Sequence, residues 1–273
     1  MKNLFYQLII FLDTMNENDT NYSIALFMAR NFYRIADMKI NELADVCYVS
    51  PASISRFCRT LGYENFSHLK ETCRFFTSNE RKFNNLINVP LDIMKNDPKE
   101  ATLIYVSQII ESMNALSSLD WNTIDQILEL IHDSKDVAFF GTQFSQSAAM
   151  QFQTDLLMLE KYTTAYLDSS RQLDCAKKLN KESLAIIITV NGNLLNTSTK
   201  VLQYIKKSEC KVVLLTANNE LDLGTQYNYR LLLGEINEKK TGKHTLLTIL
   251  ELMSLRYYSL YYPSIDQLRN QLS

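Results

Sequence analysis

Residues 38–70 read MKINELADVCYVSPASISRFCRTLGYENFSHLK, and they leave this part of the chain few ways to fold. Ile40, Leu43, Ala44 and Cys47 recur at helical spacing and give a short apolar face. A break follows, in which Ser50 offers a capping hydroxyl and Pro51 suits the first position of a new helix. Ile54, Phe57, Cys58 and Leu61 then fall at i, i+3, i+4 and i+7, and Gly62 is a helix stop. At about 100° per residue this second face turns Ala52, Arg56 and Arg59 directly away from the core, with Ser53, Ser55 and Thr60 on its flanks.

The outward strip holds two guanidiniums, several small hydroxyl residues and no carboxylate. Arginine pairs with guanine edges or phosphates and serine with either, so the strip suits a DNA major groove. A short helix, a tight turn and a second helix also fit a helix-turn-helix, whose second helix reads bases near its N-terminus. Spacing alone leaves open an ordinary helical hairpin in a small bundle. The candidate DNA-binding residues are Ser50, Pro51, Ala52, Ser53, Ser55, Arg56, Arg59 and Thr60.

The residues themselves go further than their spacing. Leu43-Ala44, Val49-Ser50-Pro51, Ile54-Ser55-Arg56-Phe57, Leu61-Gly62, Phe66 and Leu69-Lys70 form a long, nearly gap-free string. It resembles the N-terminal domain of RpiR-type bacterial transcriptional regulators. That resemblance implies a DNA-binding domain. Two positions depart from the family pattern: Ser53 stands where Thr is usual, and Tyr48 where a turn Gly is common. A left-handed conformation at Tyr48 costs about 1–2 kcal/mol.

A chain of 273 residues suggests two domains, each able to bury its own core. We expect a helix-turn-helix domain over 1–77, a linker over 78–98, where Asn, Lys, Asp, Pro90 and Pro98 gather, and a second domain over 99–273. The net charge of −2 gives no global nucleic-acid signature. Positive charge is instead local: Arg56, Arg59, Lys70, Arg74, Arg81 and Lys82 lie in and just after the first domain. The 5 cysteines, Cys47, Cys58, Cys73, Cys175 and Cys210, are scattered without metal-ligand spacing, which argues against zinc and for a reducing cytoplasm. The apolar run 8–12 is too short to span a membrane, and no signal peptide is legible.

Helices are predicted over 3–12, 22–33 and 66–76 around the central pair. After the linker come helices over 101–115 and 119–131, the second anchored in its packing by Trp121. From Asp136 the pattern changes to short apolar runs separated by helices. Strands are expected over 137–140, 163–167, 184–188, 211–215 and 229–233, and helices over 146–160, 173–179, 195–205 and 243–260. The fold class is therefore an all-α helix-turn-helix domain followed by an α/β domain with a parallel sheet flanked by helices.

Ligands of such sheets bind beyond the carboxyl ends of the strands. Two of those ends, FFGTQFS at 139–145 and ITVNGN at 188–193, carry a Gly and polar groups just before a helix, a setting that favours an anion. Ordinary strand-to-helix turns carry the same residues. Neither GxGxxG nor GxxxxGK[ST] occurs, so no nucleotide cofactor is expected.

Residues 121–258 resemble the sugar isomerase (SIS) phosphosugar-binding domain, the usual partner of an RpiR-type reading domain. Gly141 and Ser145 match its first loop, with Gln143 in place of a second Gly. Thr189, Asn191, Gly192, Asn193 and Leu194 align with its second loop, which typically reads Ser-x-Ser-Gly-Glu-Thr; Thr216 matches a third polar strand end. The resemblance implies an effector site built from Gly141, Thr142, Gln143, Ser145, Thr189, Asn191, Gly192, Asn193 and Thr216. Asn191 and Leu194 remove hydroxyls and Asn193 removes an acid, although amides still donate hydrogen bonds.

The expected function is a DNA-binding transcriptional regulator in the cytoplasm. Its partners are a palindromic double-stranded operator, a small effector of the sugar-phosphate kind and further copies of itself in a homodimer or higher homo-oligomer. No membrane, metal, cofactor or enzymatic activity is expected. Two other readings stand beside it: a sugar-phosphate isomerase, for which His244 is the candidate base, and a regulator whose second domain only dimerises.

Overall fold

The computed structural model describes residues 4–77, 89–190, 192, 194, 198–224, 226–233 and 242–262. The chain divides into two compact units, Met1–Ile87 and Asn88–Ser273.

The first unit is helical: α1 (Leu4–Thr14), α2 (Thr20–Arg30), α3 (Phe32–Ile35), α4 (Ile40–Val46), α5 (Pro51–Thr60) and α6 (Phe66–Thr77). Its core draws one face from each longer helix, with Leu4, Leu8, Ile24, Met28, Leu43, Ile54, Phe57, Cys58 and Leu69 all buried. Phe11 meets Phe57 edge-on at 5.2 Å between ring centroids, which locks α1 against α5. Gln7 adds a polar clamp: its Nε2 donates to Leu61 O at 2.9 Å while Tyr63 Oη donates to its Oε1 at 3.0 Å. The continuous helix predicted over 22–33 is broken at Asn31. There the side-chain Nδ2 donates to Phe27 O at 2.9 Å and competes with the helical ladder.

The second unit begins with α7 (Leu91–Asn96) and α8 (Pro98–Asn114), so part of the stretch expected as linker is helix. Asp97 caps α8 by accepting from Glu100 N at 3.0 Å, and Pro98 takes the first helical position, where its missing N–H is harmless. A short 3-10 turn (Ala115–Ser118) leads to α9 (Trp121–Asp133). Then come β1 (Asp136–Gly141), α10 (Phe144–Met158), β2 (Thr164–Ala165), α11 (Ser169–Ala176), β3 (Ser183–Ile188), α12 (Thr199–Ser208), β4 (Lys211–Thr216), β5 (Tyr229–Leu232) and α13 (Gly242–Tyr261).

Among the described residues the strands form one parallel sheet in the order β2-β1-β3-β4-β5. Strand alternation supplies two cores. Val137, Phe139, Ile186, Ile188, Val213 and Leu215 face one way, onto α9, α10 and α13. Ala138, Phe140, Ala185, Ile187, Val212 and Leu214 face the other, with Ala176, Val201 and Ile205. A strand covered on both faces reads as an unbroken apolar run, which is why Ile186-Ile187-Ile188 is so plain in the sequence.

One expectation about packing is not met. Trp121 is 40% exposed; the buried stripe Ile124, Ile127, Leu128 and Ile131 holds α9 instead. On α8, Leu103, Val106 and Ile110 fall within one narrow stripe yet remain exposed. Only Ala101 and Ser112 of that helix are buried.

Candidate nucleic-acid interface and effector cleft

The helix-turn-helix is closed by two similar helix ends. At the end of α4, Val49 N–H reaches Ala44 O at 2.9 Å and Tyr48 N–H reaches Asp45 O at 3.1 Å. This is the Schellman arrangement, and it sets Tyr48 in the left-handed region at φ 54°. At the end of α5, Tyr63 N–H reaches Cys58 O and Gly62 N–H reaches Arg59 O, with Gly62 at φ 82°. The glycine adopts that conformation freely; at Tyr48 it costs about 1–2 kcal/mol. The strain that the sequence made conditional on a left-handed turn is therefore present.

Between those ends α5 starts as expected. Ser50 Oγ accepts from Ser53 N at 3.2 Å and lies 3.0 Å from Ser53 Oγ. Arg56 Nη2 donates to Ser53 Oγ at 3.2 Å, and Arg59 Nε donates to Ser55 O at 3.3 Å. Thr60 Oγ1 donates to Arg56 O at 3.3 Å, as helical hydroxyls often do. Ser50, Pro51, Ala52, Arg56, Arg59 and Thr60 are exposed, while Ser53 and Ser55 are half-buried. All eight sequence-predicted residues thus belong to one helix and its cap; Ala52, Arg56 and Arg59 point away from Ile54, Phe57 and Cys58, with Ser53, Ser55 and Thr60 on the flanks. Lys70 is partly spent, since its Nζ donates to Met38 O at 2.7 Å. Arg81 and Lys82 lie outside the described residues.

Burial of the cysteines in this unit is complete at Cys58 and Cys73. Desolvation pushes the thiol of Cys58 up to about 12 and that of Cys73 up to about 12 as well. Both are packing residues.

In the second unit the strand order reverses between β1 and β3, the point where open α/β sheets leave a crevice. Gly141 pairs with Ile188, so the first two predicted loops leave from neighbouring strand ends. A methyl group on Gly141 would come within 3.0 Å of Ile188 O and 3.1 Å of Gln146 Oε1, which accounts for glycine there. Gln143 has φ 50° and ψ −121°, a region that favours glycine, where the SIS pattern has one. Thr142 is half-buried and Ser145 buried.

The remaining predicted effector residues fall into two groups. Thr189 and Thr216 are buried and bound to each other: Thr216 Oγ1 donates to Thr189 O at 2.8 Å and accepts from Asn218 N at 3.0 Å. Their placement ties the third strand end to the second. Gly192 is buried at φ 79°, with Leu221 so close that a Cβ would lie 2.8 Å from its Cδ1. Asn191 and Asn193 lie outside the described residues. A cavity of about 410 Å³ opens at the other end of the sheet, beside Asp136 and Ser183, and is lined by Lys135, Arg171 and Lys178 among others; it includes none of the predicted effector residues.

Sequence reasoning missed two glutamines behind the first loop. Gln172 Nε2 donates to Gly141 O at 3.1 Å and to Tyr166 O at 2.9 Å. Gln146, wholly buried, donates from Nε2 to Phe139 O at 3.2 Å, and its Oε1 has no hydrogen-bond partner among the described residues. The available signal for Gln146 was a long amide followed by Ala149 and Met150 at i+3 and i+4 of the same helix. The start of α13 closes over the same end of the sheet. A Cβ on Gly242 would lie 2.5 Å from Val190 Cγ1, and Lys243 Nζ sits 5.3 Å from the Phe144 ring centre. His244 Nε2 is 2.9 Å from Tyr105 Oη.

Among the described residues no cluster of His, Cys, Asp and Glu is arranged to hold a metal ion. No helix among them is long and apolar enough to cross a membrane.

Comparison with known proteins agrees with both halves. Residues 3–80 match the helix-turn-helix domain of the rpiR family. An HTH-type transcriptional regulator encoded in the aarA 3′ region of Providencia stuartii is 27% identical over 202 residues, covering 72% of this chain and 69% of that protein. The HTH-type transcriptional regulator HexR of Pseudomonas aeruginosa is 25% identical over 219 residues, covering 80% of this chain and 74% of that one. Among solved structures, the Vibrio vulnificus NanR protein complexed with ManNAc-6P superposes with a TM-score of 0.51 at 15% identity, over 99% of this chain and 97% of that one. At that identity the likeness is one of fold.

Proposed function

We propose that this chain, an RpiR-type helix-turn-helix transcriptional regulator with a SIS-like second domain, binds a palindromic operator as a homodimer. We further propose that it adjusts that binding when the second domain takes up a phosphorylated sugar. The regulator reading is carried by α5. Its capped N-terminus, two outward arginines and hydroxyl flanks, with no acid among them, are what a major groove accepts and a solvent-facing helix does not require.

The effector reading is supported by the adjacent carboxyl ends of β1 and β3, whose loops carry the predicted polar residues. NanR, whose structure holds ManNAc-6P, has the same fold. The dimer reading is supported by the uncovered stripe of Leu103, Val106 and Ile110, which suits a second copy better than solvent. A two-fold dimer would place two α5 helices about one helical turn of DNA apart, or a multiple of it.

Two measurements test this. Purified protein incubated with a randomised duplex pool at moderate salt should enrich a palindromic sequence; no enrichment sinks the regulator reading. A thermal-shift screen with a panel of sugar phosphates should raise the melting temperature for at least one member, and loss of the enriched complex or its tightening should follow. A flat response across the panel would remove the effector and leave a regulator whose second domain only dimerises.

A further inference from the structure

The turn ahead of α5 holds an aromatic residue in a conformation that suits glycine. Tyr48 has φ 54° and is 96% exposed, so the fold gives its ring almost nothing to rest on. The backbone bonds from Tyr48 to Asp45 and from Val49 to Ala44 fix that conformation, so it belongs to the turn whatever the side chain. The matching closure at the other end of α5 uses Gly62, which shows what the turn accepts without strain. At Tyr48 a strained backbone and an exposed ring occur together.

We infer that Tyr48 is a DNA-contacting residue whose phenolic hydroxyl reaches a backbone phosphate beside the groove that α5 enters. Tyrosine hydroxyls are among the groups that hold phosphate oxygens and fix the register of a protein on its duplex. Tyr48 stands two residues before Ser50, the cap of α5, at the end of the helix that approaches the bases. Arg56 and Arg59 then read from the groove floor outward while Tyr48 braces the flank. The inference rests on the reading of α5 as a recognition helix.

The test uses the full chain and three proteins: wild type, Tyr48→Gly and Tyr48→Asn. Glycine and asparagine both accept the left-handed turn, so neither variant should have a lowered urea midpoint. Each is titrated against the duplex enriched by the wild type and against a scrambled duplex of the same composition. Both variants should bind about threefold to tenfold more weakly, and by the same factor on the two duplexes, as loss of a phosphate hydrogen bond requires. If either variant binds the enriched duplex as tightly as the wild type, the inference is overturned. A loss confined to the enriched duplex would overturn the phosphate assignment. A wild type that enriches no sequence would overturn the regulator reading, and this inference with it.

Discussion

Arg56 and Ser53 lie one turn apart on the outward face of α5, and the guanidinium of the first donates to the hydroxyl of the second at 3.2 Å. Ser53 in turn bonds back to the Ser50 cap, through its amide and at 3.0 Å through its hydroxyl. A long side chain that would otherwise sample many rotamers is thus drawn toward the N-terminus of its helix. Arg56→Ala should cost about 1–3 kcal/mol of discrimination between the enriched duplex and a scrambled one, if the guanidinium makes a bidentate contact to a base. Competition titrations measure it; an equal loss on both duplexes would mark Arg56 as a phosphate contact instead.

Gln143 should be improvable. Its φ of 50° and ψ of −121° lie where glycine is at ease, and a side chain there is strained by about 1–3 kcal/mol. Glycine loses about 0.5–1 kcal/mol more chain entropy on folding, so Gln143→Gly should stabilise the protein by roughly 1 kcal/mol. A raised urea midpoint is the expected outcome. An unchanged or lowered midpoint would mean that the Gln143 side chain returns as much as its backbone loses.

The buried thiols should be silent. With Cys58 at about 12 and Cys73 at about 12, the thiolate fraction at pH 8 is on the order of one in ten thousand. Iodoacetamide at that pH should leave both unmodified in the folded protein and alkylate them in urea, read by peptide mass mapping. Rapid native labelling of Cys58 or Cys73 would contradict their role as packing residues.

Acid should weaken one specific link between α9 and α13. Arg256 Nε and Nη2 each donate to Asp125 at 2.8 Å, and these bonds hold the Asp125 carboxyl below its usual value. A carboxyl depressed in the folded state contributes its full stability above the unfolded value, near 3.9, and loses it as pH falls through the folded one. Both side chains are more than a third exposed, so the contribution is small. Asp125→Asn should lower the urea midpoint slightly at pH 7, and the two curves should converge below about pH 4. A gap that persists in acid would point to packing.

Much of this was legible in the residues, and the illegible parts have physical reasons. The strands were plain because burial on both faces demands unbroken apolar runs such as Leu184–Ile188. The outward strip of α5 was plain because its core face is unambiguous. The break at Asn31 was hidden, since the apolar stripe from Ile24 to Phe32 continues through it, while Asn31 leaves the helical backbone and bonds Phe27 O with both its amide and its side chain. Leu103, Val106 and Ile110 show a further limit: periodicity reveals that a helix has an apolar face without revealing whether its own chain covers it. Thr216 shows the limit at a site. The sequence places a hydroxyl at a strand end, but whether it is offered to a ligand or held by Thr189 depends on a neighbouring strand.

Gly242 packs closely on Val190, just beyond the carboxyl end of β3, and nineteen residues later the same helix ends at Tyr261, whose ring lies flat on His132 at 3.8 Å. At 1.5 Å per residue α13 is a rod of about 30 Å, stiff along its axis. A shift of Gly242 along the helix axis would therefore reach the stack of Tyr261 on His132 at the far end of the unit. The two rims of the sheet are thus joined by a single continuous helix.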